Sequence, residues 1–340
     1  MLAAVQFPSW IHPEIFPFLR GFPLRWYGLM YLLAFGLSYL LVKYQVKTQK
    51  LEYSEDDISG FFLAMISGLI IGARLFGTLL YDTSGIYWQK PWLIFWPFGE
   101  GGRFTGFMGM SYHGGFVGLL AGAIIFAKIK KLDFFELGDL VAVSVPLGYT
   151  FGRIGNFINA ELWGKVSSAP WAMIFPGARL FPTSLPWVRE LAEKSGLSLE
   201  GAMINLPRHP SQLYEALFEG IVLWLILWLL VRKHKPFKGF GIAAYIFGYG
   251  FIRFFIEYFR EPDADLGYII KLGNPDASIH VYSGLFNFSM GQILCFFMML
   301  GALLFAAWRS SMLKKEASML KQANEQRARL DSAKKKLKKR

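Results

Sequence analysis

Several ionisable side chains of this sequence stand inside or beside long apolar segments, where a charge is costly and usually serves a function. Arg153 closes one segment within the run Gly152–Gly164, and Arg253 lies in another, four residues before Glu257. His113 opens a third segment. Two arginines suit a phosphate, because a guanidinium donates paired hydrogen bonds and keeps its charge, and a histidine can carry a proton near neutral pH. These residue types predict a membrane-embedded site that binds a lipid phosphate and performs acid–base chemistry.

Each of these residues also has a simpler interpretation, which the spacing alone leaves open. Arg253 and Glu257 share a helix face and could form an intrahelical pair of purely structural value. His113 could cap a helix without a chemical role, and Arg74 in the second segment could be structural or functional. Other polar residues have simpler interpretations as well. Arg20, Arg25 and Arg260 could contact lipid headgroups, and Glu215 and Glu219 could tie helices together. Gly155, Asn156 and Asn159 could end a helix, and Tyr27 could be an aromatic residue of the membrane interface. All these groups lie toward one end of the apolar segments, and this clustering favours a chemical role.

The composition is that of a membrane protein. Of the 340 residues, 54% are hydrophobic, 17% are aromatic and only 18% are charged, whereas a soluble domain has about 25% charged residues. These values argue against a soluble globular protein and against disorder, which requires low hydrophobicity. A single cysteine, Cys295, excludes an internal disulfide framework and any multi-cysteine metal site.

Seven apolar segments approach the length of about 20 residues that a helix needs to cross a bilayer. We therefore predict an all-α polytopic membrane protein with seven transmembrane helices. No cleavable signal peptide is expected, because residues 1–19 contain no Lys or Arg. The predicted spans are Leu24–Val42, Ile58–Leu80, His113–Ala127, Phe134–Phe151, Leu213–Val231, Gly241–Phe259 and Phe286–Trp308.

The Lys and Arg residues between the spans predict the orientation. Alternate connections, together with the C-terminal tail, hold 22 basic residues, mostly in short segments, whereas the opposite side holds 10 over longer stretches. We therefore expect the N-terminus outside, the C-terminus in the cytoplasm, and the polar segment ends toward the outer leaflet.

Three regions outside the spans have distinct expected structures. Residues 81–112 are rich in aromatic side chains and are expected to form an arm on the membrane surface. Residues 160–210 are expected to form a small extracytoplasmic head. The membrane body then comprises residues 1–308, and residues 309–340 form a basic tail with a net charge of +9, which is expected to be helical and to contact anionic membrane lipid. A nucleic-acid role is not expected.

The polar motifs resemble those of the prolipoprotein diacylglyceryl transferase family. The resemblance extends from about residue 20 to residue 308. The most specific motif is the run Gly152–Gly164, which reads G-R-x-G-N-F-x-N-x-E-x-x-G. The other matching motifs are Trp26–Tyr31, Tyr112–Gly115, His209–Glu215 and Arg253–Asp263.

The resemblance implies an enzyme of the bacterial cytoplasmic (inner) membrane. It would transfer the diacylglyceryl group of phosphatidylglycerol to the thiol of the lipobox cysteine in a prolipoprotein signal peptide. The product bond would be a thioether, glycerol phosphate would leave, and no metal or other cofactor would be required. The nucleophile would belong to the substrate, so the enzyme would need no cysteine of its own.

The resemblance also assigns roles to individual residues. His113 would be the general base, and Arg153 and Arg253 would bind the phosphate and stabilise the leaving oxygen. Tyr27 matches a further functional position. The remaining substrate-binding positions are Asn156, Glu161, Gly164 and Glu257, of which the first three would order the site beside Arg153.

Two other classes of function compete with this interpretation. A transporter or flippase with an anion site would also place polar residues inside spans, although the seven segments show no paired halves. A receptor or structural membrane module would leave His113, Arg153 and Arg253 without a purpose.

Overall fold

The structure is a computed structural model that describes residues 4–16, 24–99, 102, 106, 109–262, 265–274 and 278–337. The chain is mostly helical and divides into two compact units. One unit comprises residues 39–141, and the other comprises residues 1–38 and 142–340. The boundary between them falls within two of the helices.

Six helices in the described part of the chain are long and apolar enough to cross a membrane. They identify a multi-pass, all-α membrane protein. We number the helices in chain order: α1 Trp26–Gln49, α2 Glu55–Tyr81, α4 Tyr112–Lys130, α5 Phe134–Ile158, α7 Ser211–Val231 and α9 Met290–Leu337 are the six, and the shorter helices are α3 Ile86–Gln89, α6 Pro186–Lys194 and α8 Phe240–Ile256.

The predicted count of seven spans is not confirmed. The segment predicted as Gly241–Phe259 forms α8, which has 17 residues. At about 1.5 Å per residue, this helix is about 26 Å long, slightly less than the hydrocarbon thickness of about 30 Å. After Ile256 the backbone tightens into 3-10-type turns, in which the amides of Tyr258 and Phe259 donate to the carbonyls of Phe255 and Ile256.

In the unit of residues 39–141, α2 and α4 pack at very short distance. A side chain at Gly68 would meet the carbonyl oxygen of Gly118, and one at Gly72 would meet that of Gly114. Small residues at four-residue spacing allow such backbone contact between membrane helices. Ser54 caps α2 through a reciprocal hydrogen-bond pair with Asp57. The buried core of this unit consists of Val42, Val46, Ile58, Phe61, Phe62, Met65, Ala123, Ala127, Leu137 and Leu140.

The predicted surface arm contains α3 and a 3-10 helix, Pro91–Phe95. Arg74, which the sequence left open, holds this arm to α2. Its side chain is buried, and its Nε donates to the Ile94 carbonyl at 2.6 Å while Nη2 donates to Leu93 at 3.3 Å. Arg74 therefore has a structural role in this unit. Residues 100, 101, 103–105, 107 and 108 of the predicted arm lie outside the described residues.

In the other unit, the predicted head over residues 160–210 forms a small packed body around α6. Its buried core consists of Val166, Phe181, Val188, Ala192 and Leu206. Three two-stranded sheets accompany it. The strand β1 (Val5–Gln6) pairs in parallel with β2 (Met173–Ile174), β3 (Phe181–Pro182) pairs antiparallel with β4 (Met203–Ile204), and β5 (Tyr268–Lys271) pairs antiparallel with β6 (Asn287–Ser289).

The last helix continues without a break from the final apolar segment into the basic tail. It spans 48 residues, Met290–Leu337, or about 72 Å at about 1.5 Å per residue. The helical tail predicted from the sequence is confirmed as far as Leu337. Residues 338–340 lie outside the described part of the chain.

Candidate functional site

Three helices bring pairs of polar side chains to one end of the unit formed by residues 1–38 and 142–340. In each pair the two residues are four positions apart and therefore share a helix face. The pairs lie near the C-terminal ends of α5 and α8 and near the N-terminal end of α7. We call this group, together with Arg260, the open cluster; its members are Tyr149 and Arg153 on α5, Glu215 and Glu219 on α7, Arg253 and Glu257 at the end of α8, and Arg260.

Glu215 is the centre of the open cluster. Its side chain is 0% exposed, and its Oε2 lies 2.8 Å from Nε of Arg153 and 3.1 Å from Nη1 of Arg253. Its Oε1 accepts a hydrogen bond from Nη1 of Arg260 at 2.9 Å. The two arginines that the sequence predicts to act together thus meet at a single carboxylate oxygen. Glu215 also ties α7 to α5 and α8, as the sequence predicts for it.

Arg253 has more partners than the intrahelical interpretation allows. Its Nη2 does pair with Oε2 of Glu257 at 3.1 Å, but its Nη1 also lies 3.1 Å from Glu215 and 3.6 Å from Oε1 of Glu219. The intrahelical pair with Glu257 is therefore only part of the contacts of Arg253, which joins α8 to α7.

The open cluster balances three arginines against three glutamates but leaves several hydrogen-bonding atoms without an aligned partner. Arg153 and Arg253 are 18% and 14% exposed. Buried polar atoms without partners are rare in proteins and call for an explanation, such as an absent ligand or water. Among the described residues, the unsatisfied atoms of the cluster are Glu219 Oε1, Arg253 Nη1, Glu257 Oε2 and Arg260 Nε.

The predicted residues Asn156 and Glu161 lie on the other side of Arg153. Nη1 of Arg153 donates to Oδ1 of Asn156 at 3.4 Å, and Nδ2 of Asn156 donates to Oε1 of Glu161 at 2.8 Å. The same Glu161 oxygen also accepts from Nδ2 of Asn159 at 3.3 Å. The structure therefore brings Asn156 and Glu161 to Arg153, as the motif predicts.

The chain bends sharply after α5, and α7 fixes the bend. Ala160 and Leu162 have φ values of 51° and 57°, the left-handed region that residues with a side chain seldom adopt. Gln212 donates from Nε2 to the Glu161 carbonyl at 2.6 Å, and Ser211 donates to the Leu162 carbonyl at 3.1 Å. The first turn of α7 therefore positions the end of the motif that contains Arg153.

Gly164 and Tyr27 contribute to the site through packing. The Gly164 amide donates to the His209 carbonyl at 2.9 Å, and a side chain at this position would collide with the carbonyl oxygen of Phe259. Tyr27 packs against Gly155, where an added Cβ would lie 3.4 Å from the tyrosine ring, and its hydroxyl is 3.0 Å from that of Tyr31. Both residues border the motif that contains Arg153.

His113 belongs to the unit of residues 39–141. It is exposed in the first turn of α4, and its Nδ1 lies 3.3 Å from the Tyr81 hydroxyl. The N-terminal cap of α4 is Ser111, whose Oγ accepts from the Gly114 amide at 3.1 Å. The interpretation of His113 as a helix cap is therefore wrong.

Sequence reasoning missed Tyr149 and underestimated Glu215 and Arg260. Arg260 is not simply a headgroup contact, because its side chain is only 18% exposed and pairs with Glu215. The signal was present in the spacing: Arg253, Glu257 and Arg260 are at positions i, i+4 and i+7 of one helical face, and Tyr149 is one turn before Arg153.

Arg208, in the head region, is a further buried arginine that no motif of the sequence predicted. Arg208 is 0% exposed and pairs with Glu261, whose other oxygen lies 2.6 Å from Nδ1 of His280. The rings of Trp163 and Phe181 lie 5.7 Å and 5.3 Å from the guanidinium carbon. We call Arg208, Glu261 and His280 the closed cluster.

The surroundings shift the pKa values of Arg208, Glu261 and the neighbouring His209. Burial lowers the pKa of Arg208. Burial also raises the pKa of Glu261, but the hydrogen bond to His280 and the charge of Arg208 outweigh this effect and hold it below its ordinary value. Burial and the nearby charge of Lys165 lower the pKa of His209 to about 4, so this imidazole is neutral near pH 7.

Within the described ranges, no group of three or more His, Cys, Asp or Glu side chains is arranged to hold a metal ion. The open cluster itself offers arginines, carboxylates and a tyrosine. Such a group can bind an anion and stabilise a negative charge that develops during a reaction.

Comparison with known proteins agrees with the sequence motifs. The profile of the family described as prolipoprotein diacylglyceryl transferase matches residues 13–308. A protein of Treponema denticola named phosphatidylglycerol–prolipoprotein diacylglyceryl transferase is 56% identical over 321 residues, covering 89% of this chain and 94% of its own length. Proteins of the same name from Treponema pallidum and Chlorobaculum tepidum are 48% and 41% identical, covering 89% and 88% of this chain and 94% and 91% of their own lengths. The chain belongs to the prolipoprotein diacylglyceryl transferase family.

Proposed function

We propose that the open cluster carries the transfer of a diacylglyceryl group from phosphatidylglycerol to the thiol of a lipobox cysteine in a prolipoprotein signal peptide. As a member of its family, the chain is a membrane transferase of lipoprotein biosynthesis. The names of its relatives specify phosphatidylglycerol and a prolipoprotein as the two substrates. Membership in this family also favours the enzyme over the transporter, flippase and receptor alternatives.

The proposed reaction forms a thioether at the glyceryl carbon that bears the phosphate. The sulfur attacks this carbon, the carbon–oxygen bond breaks, and its electron pair stays on the oxygen of the departing glycerol phosphate. The thiol proton passes to a base, because a thiol with a pKa of about 8.5 is mostly protonated at neutral pH. Negative charge therefore grows on the leaving oxygen, and a fixed cation beside it lowers the barrier.

One observation carries the assignment of the site. Nε of Arg153 and Nη1 of Arg253 lie 2.8 Å and 3.1 Å from the same oxygen of Glu215. The carboxylate thus holds two guanidinium groups together before any lipid binds. Such preorganised charge is effective because it needs no rearrangement during the reaction. The lipid phosphate would bind at the accessible part of the two guanidinium groups.

The supporting roles follow from the contacts around Arg153. Asn156 and Glu161 orient its Nη1 side, Gly164 and Tyr27 shape the surrounding packing, and Glu257 holds Arg253. We propose that Arg153 and Arg253 bind the phosphate and stabilise the leaving oxygen. Tyr27 is proposed as a further catalytic position, and Asn156, Glu161, Gly164 and Glu257 complete the substrate-binding surface.

The proposed base is His113, on the strength of the family resemblance. An imidazole is a common general base in enzymes. The replacement His113→Gln should lower kcat, because a side-chain amide cannot take up the thiol proton. Tyr81→Phe is the matched control, because it removes the hydrogen-bond partner of His113 but leaves the imidazole. An unchanged kcat in His113→Gln would assign the base elsewhere.

We also propose a location in the bacterial cytoplasmic membrane, with the N-terminus outside and the C-terminus in the cytoplasm. This orientation depends on α8 crossing the membrane, because an odd number of spans places the termini on opposite sides. A reporter that is active only in the cytoplasm should be active when fused after Arg340. Activity of a periplasmic reporter at that position would indicate an even number of crossings.

The decisive experiment is a transfer assay with the purified chain. The substrates are phosphatidylglycerol and a lipobox peptide, and the control peptide has serine in place of cysteine. We expect the cysteine peptide to gain the mass of a diacylglyceryl group and glycerol phosphate to appear in equal amount. Release of fatty acid, or equal modification of the serine peptide, would contradict the proposed reaction.

A further inference from the structure

Tyr149 contacts the phosphate-binding arginine without belonging to any motif that pointed to the family. It lies one helical turn before Arg153 on α5. Its hydroxyl oxygen is 2.5 Å from Nε of Arg153, and its ring centre is 4.7 Å from the guanidinium carbon. The tyrosine therefore contacts Arg153 through both its hydroxyl and its ring.

The direction of the hydrogen bonds is fixed by the chemistry of the partners. A guanidinium can only donate, so the Tyr149 oxygen must accept from Arg153. The single hydroxyl hydrogen is then left for a carboxylate, and Oε2 of Glu219 lies 2.5 Å away while Oε2 of Glu215 lies 3.5 Å away. Within the described part of the chain, Glu219 pairs with Arg253 and forms no ion pair with Arg153. It reaches Arg153 through Tyr149.

We propose that Tyr149, held by Glu219, is a positioning residue that fixes the orientation of the Arg153 guanidinium for the departing phosphate. This inference rests on the proposed function. With Nε held by Tyr149 and Glu215, the Nη groups are the donors that remain for a phosphate. A guanidinium with a fixed orientation presents these donors in one geometry, whereas a freely rotating one must be ordered during the reaction.

A purely structural role for Tyr149 is the alternative, and the chain offers a matched control for it. Thr150 is the next residue on α5, it is also buried, and its hydroxyl lies 3.3 Å from the Ala216 carbonyl on α7. Thr150→Val therefore removes a buried hydroxyl between the same two helices without touching an arginine. Tyr149→Phe removes the hydroxyl that holds Arg153 and keeps the ring.

The test compares kcat and KM for phosphatidylglycerol in the full-length wild type, Tyr149→Phe and Thr150→Val. We expect Tyr149→Phe to lower kcat about tenfold and to change KM less than about threefold, because the lost contact matters most as charge develops. Thr150→Val should keep kcat within about twofold of the wild type. Equal kcat values in Tyr149→Phe and Thr150→Val would overturn the proposal.

A double-mutant cycle separates positioning from packing. Residues that act through one chain of contacts show non-additive effects. Glu219→Gln should lower kcat. The double variant Glu219→Gln with Tyr149→Phe should have a kcat less than about twofold below that of Glu219→Gln alone. Additive losses would mean that Glu219 and Tyr149 act separately and would overturn the proposed chain.

The remaining outcomes are also informative. If Tyr149→Phe does not fold, as judged from its unfolding midpoint, Glu219→Gln is combined with Arg153→Lys, because Glu219 also lies 3.6 Å from Arg253. A normal kcat in Glu219→Gln, or losses that add to those of Arg153→Lys, would reject the proposal, and a non-additive loss would support it. If the wild-type chain transfers no diacylglyceryl group, the proposed function itself fails. If the wild type is active but Tyr149→Phe matches it, only the positioning role fails.

Discussion

The open cluster and the closed cluster both bury arginine against glutamate, yet they differ in how the charges are shared. In the closed cluster, Arg208 is 0% exposed and has one carboxylate partner, Glu261, among the ion pairs of the described residues. Aromatic rings cover its guanidinium. In the open cluster, three arginines share Glu215, and Arg153 and Arg253 keep 18% and 14% of their side-chain surface exposed.

Burial of an arginine does not by itself identify a functional site. A buried ion pair is weak evidence for stability, because the cost of desolvation offsets much of the attraction. It is equally weak evidence for catalysis. The features that distinguish the open cluster are the shared carboxylate and the remaining accessible surface. Unsatisfied polar atoms do not distinguish it, because Nε and Nη2 of Arg208 in the closed cluster also lack a hydrogen-bond partner. The closed cluster joins three segments of chain and leaves no accessible surface on its arginine.

The first prediction tests this distinction through the shape of the guanidinium group. Arg153→Lys and Arg253→Lys keep the charge but lose the planar pair of donors. Each should lower kcat by about 10²–10³, the typical cost of losing a preorganised charge stabiliser. Arg208→Lys in the closed cluster should keep kcat within about threefold at a temperature where the protein is folded. The measurement is the transfer assay, with the unfolding midpoint of each variant as a check on folding.

The intrahelical interpretation of Arg253 makes the opposite prediction. If Arg253 only balanced Glu257, the double change Arg253→Met with Glu257→Met would retain activity, because both charges disappear together. Since Arg253 also contacts Glu215 and Glu219, we expect this double variant to be inactive. Near-normal turnover would remove Arg253 from the site.

The second prediction concerns the stability that the closed cluster supplies. Arg208→Met leaves the Glu261 carboxylate without its cation, and breaking a buried pair on one side costs about 3–5 kcal/mol. The unfolding midpoint should therefore fall clearly, while turnover per folded molecule stays within about threefold. The double change Arg208→Met with Glu261→Gln removes the unpaired charge and should recover part of the loss. A loss of turnover without a loss of stability would move Arg208 into the catalytic machinery.

The third prediction uses the pKa values near the closed cluster. In the folded chain the pKa of His209 is about 4, below its ordinary value of about 6.5. As pH falls through 6.5, the unfolded chain takes up a proton before the folded one, so stability is lost progressively between pH 6.5 and about 4. The lowered pKa of Glu261 acts with the same sign at still lower pH, where its contribution is lost on protonation.

The measurement is the unfolding midpoint at pH 7, 5.5 and 4.5. We expect the midpoint to fall over this range in the wild type and to fall less in His209→Gln, which cannot take up the proton. A variant with the same pH dependence as the wild type would show that another group controls stability in this window.

The sequence predicted the helical class and most of the helix positions, because apolar length is a direct physical signal for membrane helices. It failed at α8, where the apolar segment and the helix do not coincide. The prediction extended to Phe259, but the helix ends at Ile256. Charged residues at its C-terminal end find partners within the protein, and hydropathy does not register such pairing.

The candidate site could be predicted in part. Motif spacing identified Arg153, Arg253, Asn156 and Glu161, and the structure places Asn156 and Glu161 at Arg153. The central position of Glu215 was not predictable, because it depends on how α7 lies between α5 and α8. The closed cluster was missed for the same reason: Arg208, Glu261 and His280 are far apart in the sequence, and only the folded chain brings them together.

The last prediction extends the comparison to the basic tail, where charge is abundant. Residues 309–340 carry a net charge of +9, yet α9 continues unbroken to Leu337, about 44 Å beyond Trp308 at about 1.5 Å per residue. The potential of a lipid surface decays within about 8–10 Å at physiological salt. A straight helix would therefore keep only its first turns within reach of lipid charge.

A chain that stops after Arg309 should keep its turnover in detergent within about twofold of the full-length protein, the smallest effect of the set. In vesicles with anionic lipid, Lys314→Gln with Lys315→Gln should weaken membrane-dependent activity more than Lys334→Gln with Lys335→Gln, because only the first pair lies near the surface. Equal effects of the two pairs would mean that the tail bends onto the membrane. An inactive truncated chain that still inserts into the membrane would give the tail a role in catalysis, which its composition does not predict.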